Sequence, residues 1–461
     1  MAALLNLKKN KAIFAIVLLF FALKAITLST YKFLWWDAAV YIGMGKYIYS
    51  LGSVGLWEYT RPVVWPIILG FFWKIGLDTV LAGRIIEIVF GGLCILFTYK
   101  ISEKLFGRKT ALISALFLAV SPAFFFFNGL MLTEIVSTFF ALLGIYLFLD
   151  KKYLVSGMLF GTAFLTRFLQ LLVFISLILV IVFCLNRKNI RNSLKVIAGF
   201  AIALLPYLAL NYVLYSDILF PFTQHIEITK NSGWLNYQPL SYYFIELFKE
   251  NIFYLVSILG ILLAFKSKDM NKKIIASAFL VAFVFFNSIQ QKEMRFLIIL
   301  LPYMYMLISL SIFYLYYKSK NNIYKNILIG FIALSLVFSA YNTYLLYQKE
   351  SAKQNPYTEL EARFKDTDGV IWVSNPIIAA SSSKRIELMY YPFFSMNKKD
   401  ELIENMANAD FMFLDLCDLG CRPGDTECEK QKNNMLSSMK QKLKTAHSSK
   451  NDGCGQYIFR K

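Results

Sequence analysis

The sequence predicts an α-helical polytopic membrane protein with one small α/β domain, and three observations carry that reading. Of 461 residues, 57% are hydrophobic and 17% charged, whereas soluble domains run near a half and a quarter. The apolar residues fall in blocks of roughly twenty, the length that crosses a ~30 Å hydrocarbon core. Basic residues collect between those blocks, and from Ser351 onward the composition becomes that of a soluble domain.

About eleven spans are expected, at 12–30, 82–99, 110–127, 132–149, 153–167, 169–185, 194–214, 251–265, 273–289, 295–316 and 323–346. The first follows Lys8, Lys9 and Lys11 as a signal peptide would. No small-residue cleavage site comes after it, so it reads as an uncleaved helix. The connections at 8–11, 100–109, 150–152, 186–195, 266–273 and 318–325 hold 20 of the 32 Lys and Arg that precede residue 351. The positive-inside rule puts these segments in the cytoplasm. The N-terminus is then cytoplasmic, and an odd number of spans leaves the C-terminal domain outside. The apolar block at 63–76 is too short for a span, and counting it as one would invert every later loop. It is expected as an interfacial helix in the first external loop, 31–81. That loop also carries Trp35, Trp36, Trp57, Trp65 and Trp73, aromatics suited to the headgroup level.

The formal charge of +19 does not indicate nucleic acid. Residues 351–461 carry sixteen basic and fifteen acidic side chains, so +18 belongs to the membrane part, as topology signals. Two domains follow, a transmembrane domain at 1–350 and an extracytoplasmic α/β domain at 351–461. In the latter, 369–374, 387–391, 411–415 and 456–459 read as strands, and 398–408 and 426–444 as helices. It holds Cys417, Cys421, Cys428 and Cys454. An even set outside the cytoplasm favours disulfides. A zinc site is the alternative, although no paired C-x₂-C knuckles are present and His447 is the one nearby His. Cys94 and Cys184 lie in spans and read as packing residues.

Charged side chains in or beside a span are functional candidates, and each has a plainer reading. Asp37 follows the first span and either caps the helix that begins there or acts as a catalytic carboxylate. Arg61, before Pro62, either snorkels or holds a lipid phosphate. Glu134 sits one residue after Thr133, a candidate N-cap, where the helix dipole alone favours a carboxylate. Arg167 occupies the turn of a tight helical hairpin. Lys292, Glu293 and Arg295 open the tenth span, either as an ordinary loop or as a site rim. His225 and Glu227 are weaker candidates in the loop after span seven. The chain has no phosphate-binding Gly loop, H-E-x-x-H motif or nucleophile elbow.

Several runs occur in a telling order: WWDAAVYIGMGKYI with Asp37, RPVVWPIILGFFWKIG from Arg61, GRIIEIVFGG with KISEKLFGRKTALISALFLAVSP, MLTEIVSTFF, GTAFLTRFLQLL and KEMRFLIILLP. Over roughly residues 12–310 this set resembles the GT-C superfamily of polyprenyl-phosphate-sugar-dependent glycosyltransferases. The nearest branch is that of the protein O-mannosyltransferases, the lipid A aminoarabinose transferases and their archaeal relatives. The resemblance implies an enzyme that moves a sugar from a polyprenyl phosphate to an acceptor hydroxyl at the outer face. Asp37 would be the general base, Arg61 and Arg295 would bind phosphate, and Glu134 and Arg167 would shape the sugar pocket. The implied partners are the polyprenyl-phosphate-linked sugar, a glycan, lipid or protein acceptor, and membrane lipids. No cofactor is expected. Many relatives carry a second acid beside the first, whereas here Asp37 is followed by Ala38, which disfavours a divalent metal. A lipid or glycan flippase is the alternative. Against it, the charges gather at helix ends and no interrupted helix pair marks an inverted repeat.

Overall fold

Every block expected to span folds as helix. The computed structural model describes residues 7–32, 34–184, 187–232, 234–352, 369–389, 409–451 and 454–461. The helices are α1 (Leu7–Thr27), α2 (Trp36–Tyr49), α3 (Val64–Lys74), α4 (Thr79–Phe106), α5 (Arg108–Ala119), α6 (Pro122–Phe127), α7 (Thr133–Leu149), α8 (Tyr153–Thr166), α9 (Leu171–Phe183), α10 (Arg187–Tyr215), α11 (Phe220–Ser232), α12 (Tyr242–Glu250), α13 (Ser257–Lys266), α14 (Met270–Ser288), α15 (Leu301–Lys318) and α16 (Asn322–Ser351). α3 falls on the short block at 63–76 that was set apart from the spans. The chain forms two compact units, one of residues 1–31, 84–210 and 238–353, the other of 32–83, 211–237 and 354–461.

In the first unit the apolar blocks are less uniform than their hydropathy suggests. Among the described residues five helices are long and apolar enough to cross a membrane alone, or six if the pair Tyr242–Glu250 and Tyr254–Lys266, bent by 99°, counts as one. The remaining expected spans are shorter or broken. The block at 110–127 divides at Val120 and Ser121, where Pro122 starts α6 and Ser121 Oγ accepts from Phe124 N. Proline is favoured in a first helical turn, where its missing N–H costs nothing. The block at 295–316 opens as a six-residue 3₁₀ stretch, Met294–Ile299, before α15 begins. Such breaks leave backbone N–H groups unserved in an apolar setting, so polar side chains must meet them.

In the second unit a five-stranded sheet has the order β2-β1-β3-β5-β4, with β1 (Ile371–Val373), β2 (Ile386–Leu388), β3 (Phe411–Asp415), β4 (Lys444–Asn451) and β5 (Cys454–Arg460). β1 runs parallel to β2 and β3, while β5 is antiparallel to β3 and β4. Side chains alternate across it. Ile371, Val373, Phe413 and Ile458 meet Val40, Met44 and Leu56 on one face, while Met412, Leu414 and Phe459 meet Met435 and Met439 of the helix Thr426–Lys442 on the other. The segment carrying Val40, Met44 and Leu56 is therefore a layer of the same fold as the C-terminal sheet. Within it, α2 is buried from Asp37 through Lys46. Lys46 Nζ donates to Ala379 O, Ala380 O and Ser382 O at 3.0, 2.5 and 3.0 Å, and burial lowers its pKa to about 8. Gly55 adds a backbone tie, its N donating to Lys384 O and its O accepting from Ile386 N.

β4 was not expected. Its segment, KTAHSSKN, offers almost no apolar residue, because an edge strand paired only to β5 has little to bury. The helix expected at 426–444 ends at Lys442, where β4 begins shortly after. The helix expected at 398–408 and the end of the strand at 387–391 lie outside the described residues. The four cysteines pair as Cys417–Cys454 and Cys421–Cys428, each with Cα atoms 5.7 Å apart. Asp415, Cys417 and Cys454 lie close enough together to hold a metal ion, but both sulfurs are engaged in one disulfide.

Two measurements probe this fold. α2 and α3 cross through glycines: a Cβ on Gly45 would lie 2.6 Å from Pro66 O and 2.7 Å from Gly70 N. Gly45→Val should cost about 3 kcal/mol, the upper end of overpacking, in denaturant unfolding of the detergent-solubilised chain. Gly330→Ala, where a Cβ meets nothing within 4 Å, should be neutral or stabilising. The second concerns Asp418, whose pKa burial and then Asp415 push from 3.8 up to about 7, against hydrogen bonds from Ser374 and Asn375. Its protonated form is the one the fold favours. That contribution is complete below pH ~4 and is lost as pH rises to about 7. Melting temperature against pH should show a decline over this window that Asp418→Asn reduces.

Candidate active site

Two clusters collect most of the predicted site residues, one in each unit. In the second unit, α2 opens with Trp35 as N-cap, making no side-chain capping bond, and Asp37 in its first turn. Asp37 is 8% exposed. Arg61 Nη2 stands 2.8 Å from Asp37 Oδ1, and Arg61 Nε is hydrogen-bonded to Glu58 Oε1. The guanidinium also lies 5.8 Å from the centre of the Tyr41 ring. One planar cation thus joins two carboxylates 21 residues apart in sequence. Glu58 was not anticipated. Its signal was the i,i+3 spacing to Arg61 in WEYTRP, which reads as an ordinary surface pair until burial removes water from it; Glu58 is 1% exposed.

In the first unit, Glu134 sits in the first turn of α7 and is wholly buried. The N-cap is Leu132, so Thr133 is the first helical residue and not the cap expected. Thr133 instead accepts a hydrogen bond from Arg167 Nη1 at 3.0 Å. Arg167 ends α8 in an extended conformation, φ −154°, which turns its side chain out of the helical path. Its Nη1 reaches Glu134 Oε1 at 3.1 Å, and Arg295 Nε approaches the same oxygen at 3.4 Å. Arg295 comes from the 3₁₀ stretch and is held by Glu293, Nε to Oε2 at 2.7 Å and Nη2 to Oε1 at 3.0 Å. Both guanidiniums lie against the Phe296 ring, at 5.0 and 6.0 Å. Among the described residues, neither oxygen of Glu134 accepts a well-aligned hydrogen bond despite these ion pairs. A buried carboxylate with that much unused acceptor capacity is suited to bound hydroxyl groups.

Lys292 stands apart from this cluster. Its Nζ donates to Gln238 O and Ile289 O at 3.1 and 2.5 Å, so it fastens a loop. His225 and Glu227 fall on α11, exposed, with Glu227 accepting from Gln224. Cys94 is buried and its thiol contacts Ile135 O, in keeping with a packing role.

Glu134 and Glu293 lose different amounts if neutralised. Removing one partner of a fully buried pair costs about 3–5 kcal/mol, so Glu134→Gln should lower unfolding stability by about 3 kcal/mol. Glu293, 21% exposed at its side chain, should lose about 1 kcal/mol on change to Gln. Chemical denaturation of both variants in one detergent checks the order.

Residues 60–212 match the family model described as dolichyl-phosphate-mannose-protein mannosyltransferase. No curated protein matches the chain by sequence. Among solved structures, the chain is similar to ArnT from Cupriavidus metallidurans bound to undecaprenyl phosphate, with a TM-score of 0.70 and 11% identity over 98% of both chains. It is also similar to the oligosaccharyltransferase of Archaeoglobus fulgidus tethered to an acceptor peptide, with a TM-score of 0.62 and 12% identity over 90% of this chain and 70% of that one. The archaeal oligosaccharyltransferase AglB in complex with an inhibitory peptide and a dolichol-phosphate gives a TM-score of 0.61 and 11% identity over 98% and 74%. The chain has the fold of the GT-C membrane glycosyltransferases, and within it a stretch with the sequence character of one of their families.

Proposed function

We propose that this chain, a membrane enzyme of the glycosyltransferase class, moves a sugar from a polyprenyl phosphate to an acceptor hydroxyl at the outer face of the membrane. The observation that carries the reading is the buried ion pair of Asp37 with Arg61, which joins the first two motifs of the resemblance in one cluster. The relatives by fold include proteins bound to undecaprenyl phosphate and to dolichol-phosphate, which supports a lipid-phosphate donor.

In the proposed reaction the acceptor oxygen attacks the anomeric carbon, and its proton passes to Asp37. The bond from that carbon to the phosphate oxygen breaks with its electron pair, and polyprenyl phosphate departs. A phosphate leaving group needs no proton, only positive charge set in place beforehand. Arg61 supplies that charge while orienting the base, and Arg295 is assigned the same task in its own cluster. Glu134 and Arg167 are assigned to sugar hydroxyls, since Glu134 combines burial with unused acceptor capacity. We propose transfer without a divalent cation, since Arg61 engages both Asp37 and Glu58 and so already supplies positive charge to the two acids of that cluster. Disulfides in the sheet domain fit an oxidising, extracytoplasmic setting for it, with the N-terminus in the cytoplasm. Interrupted helices do occur, at Val120–Ser121 and between Tyr242–Glu250 and Tyr254–Lys266, which corrects one expectation that stood against a flippase; the charged clusters at helix ends still favour the transferase.

The test is transfer of radiolabelled sugar from polyprenyl-phosphate donors to candidate glycan, lipid and peptide acceptors by the purified chain. Asp37→Asn should reduce kcat by about 10²–10⁴-fold, the usual worth of a general base, and EDTA should change nothing. Full activity in Asp37→Asn would remove the assigned base, loss with EDTA would require a metal, and no transfer with any donor would end the glycosyltransferase reading.

A further inference from the structure

The membrane unit holds two buried carboxylates that neither candidate cluster uses. Glu87, on α4, and Glu250, the last residue of α12, are both 0% exposed. They grip opposite ends of one segment, residues 121–132, which contains α6 and the link to α7. At its start, Glu250 accepts from Ser121 Oγ at 2.5 Å and from Ala123 N at 2.7 Å. At its end, Glu87 accepts from Gly129 N at 2.9 Å, Met131 N at 2.6 Å and Leu132 N at 3.1 Å. Asn128 Nδ2 also donates to the main-chain oxygen of Glu87, at 3.1 Å.

The link does not hold this shape unaided. Gly129 has φ +103° and Met131 φ +60°, the second a left-handed conformation that a Met adopts only under constraint. Helical bonding does not serve these amides, and an amide left unserved in an apolar setting is costly. A carboxylate suits them because both its oxygens only accept, whereas an amide side chain would turn donors toward some of them. Three N–H groups on one side chain fix the peptide planes from 129 to 132. Those planes set where α7 starts. The next two residues are Thr133, which accepts from Arg167, and Glu134, which pairs with it.

We propose that Glu87 is a positioning residue for Glu134, and that with Glu250 it holds 121–132 as a strap whose placement sets the Glu134–Arg167 pair. This rests on the assignment of that pair to donor binding. The competing account is a bond network that maintains the fold and nothing else.

The two accounts separate in a double-mutant cycle on the full chain in detergent, read by donor KM and by amide hydrogen exchange over 128–135. Glu87→Gln should raise exchange at 129–132 by about tenfold, the effect of one buried N–H left unmade. It should raise donor KM at least as strongly as it lowers kcat. In Glu87→Gln with Glu134→Gln, KM should be no higher than in Glu134→Gln alone, because Glu87 acts through Glu134. Glu250→Gln should loosen 121–124 in exchange and raise KM less. Multiplying effects in the double variant would overturn the proposal, and so would unchanged exchange in Glu87→Gln. If that variant fails to fold, Glu87→Asp keeps both oxygens on a shorter arm and should give intermediate KM and exchange; wild-type values in both would overturn it equally. Should the wild-type chain transfer no sugar from any donor, the glycosyltransferase assignment falls, while exchange over 129–134 still decides whether Glu87 fixes the start of α7.

Discussion

A charge removed from water must find its opposite or a set of donors close by, and that constraint organises this protein. The chain is apolar enough that its interior offers no solvent to the charged groups it encloses, and an isolated buried ion would cost many kcal/mol. In each unit the buried carboxylates described above lie beside cations or backbone donors. Arg61 joins Asp37 to Glu58, and Arg167 and Arg295 close on Glu134. Backbone N–H groups from a broken helix converge on Glu87. The irregular backbone of the membrane unit and its buried acids satisfy one another.

This economy of charge bears on chemistry. In the proposed reaction, guanidiniums held by carboxylates would be preorganised, their donors already pointing in fixed directions before an anionic lipid arrived. Glu134 shows the complementary feature, a buried anion balanced in charge yet short of hydrogen bonds.

The sheet domain supports the first of these clusters from beneath. α2, which carries Asp37, is packed between α3 and the sheet, and its Lys46 reaches into the carbonyl end of the short helix Ile378–Ser381. A side chain on a helix packed on both sides, as Asp37 is, is held more tightly than one on a loop. Hydropathy could not have shown this, since an apolar face made for a sheet and one made for lipid look alike in a window of residues.

Read alone, the sequence determined the helical blocks, the shortness of the helix at 63–76, most of the strands, and that Asp37, Arg61, Glu134, Arg167 and Arg295 are charges in costly places. These are local properties: hydropathy, periodicity, and charge where charge is expensive. Tertiary structure decided what touches what. It recruited Glu58 and Glu87, turned Lys292 to loop carbonyls, moved the α7 cap from Thr133 to Leu132, paired the cysteines, and made α2 a layer of the C-terminal fold. The physical reason is that a side chain's role depends on how much water remains around it and which donors stand within about 3 Å, and both are set by parts of the chain far away in sequence.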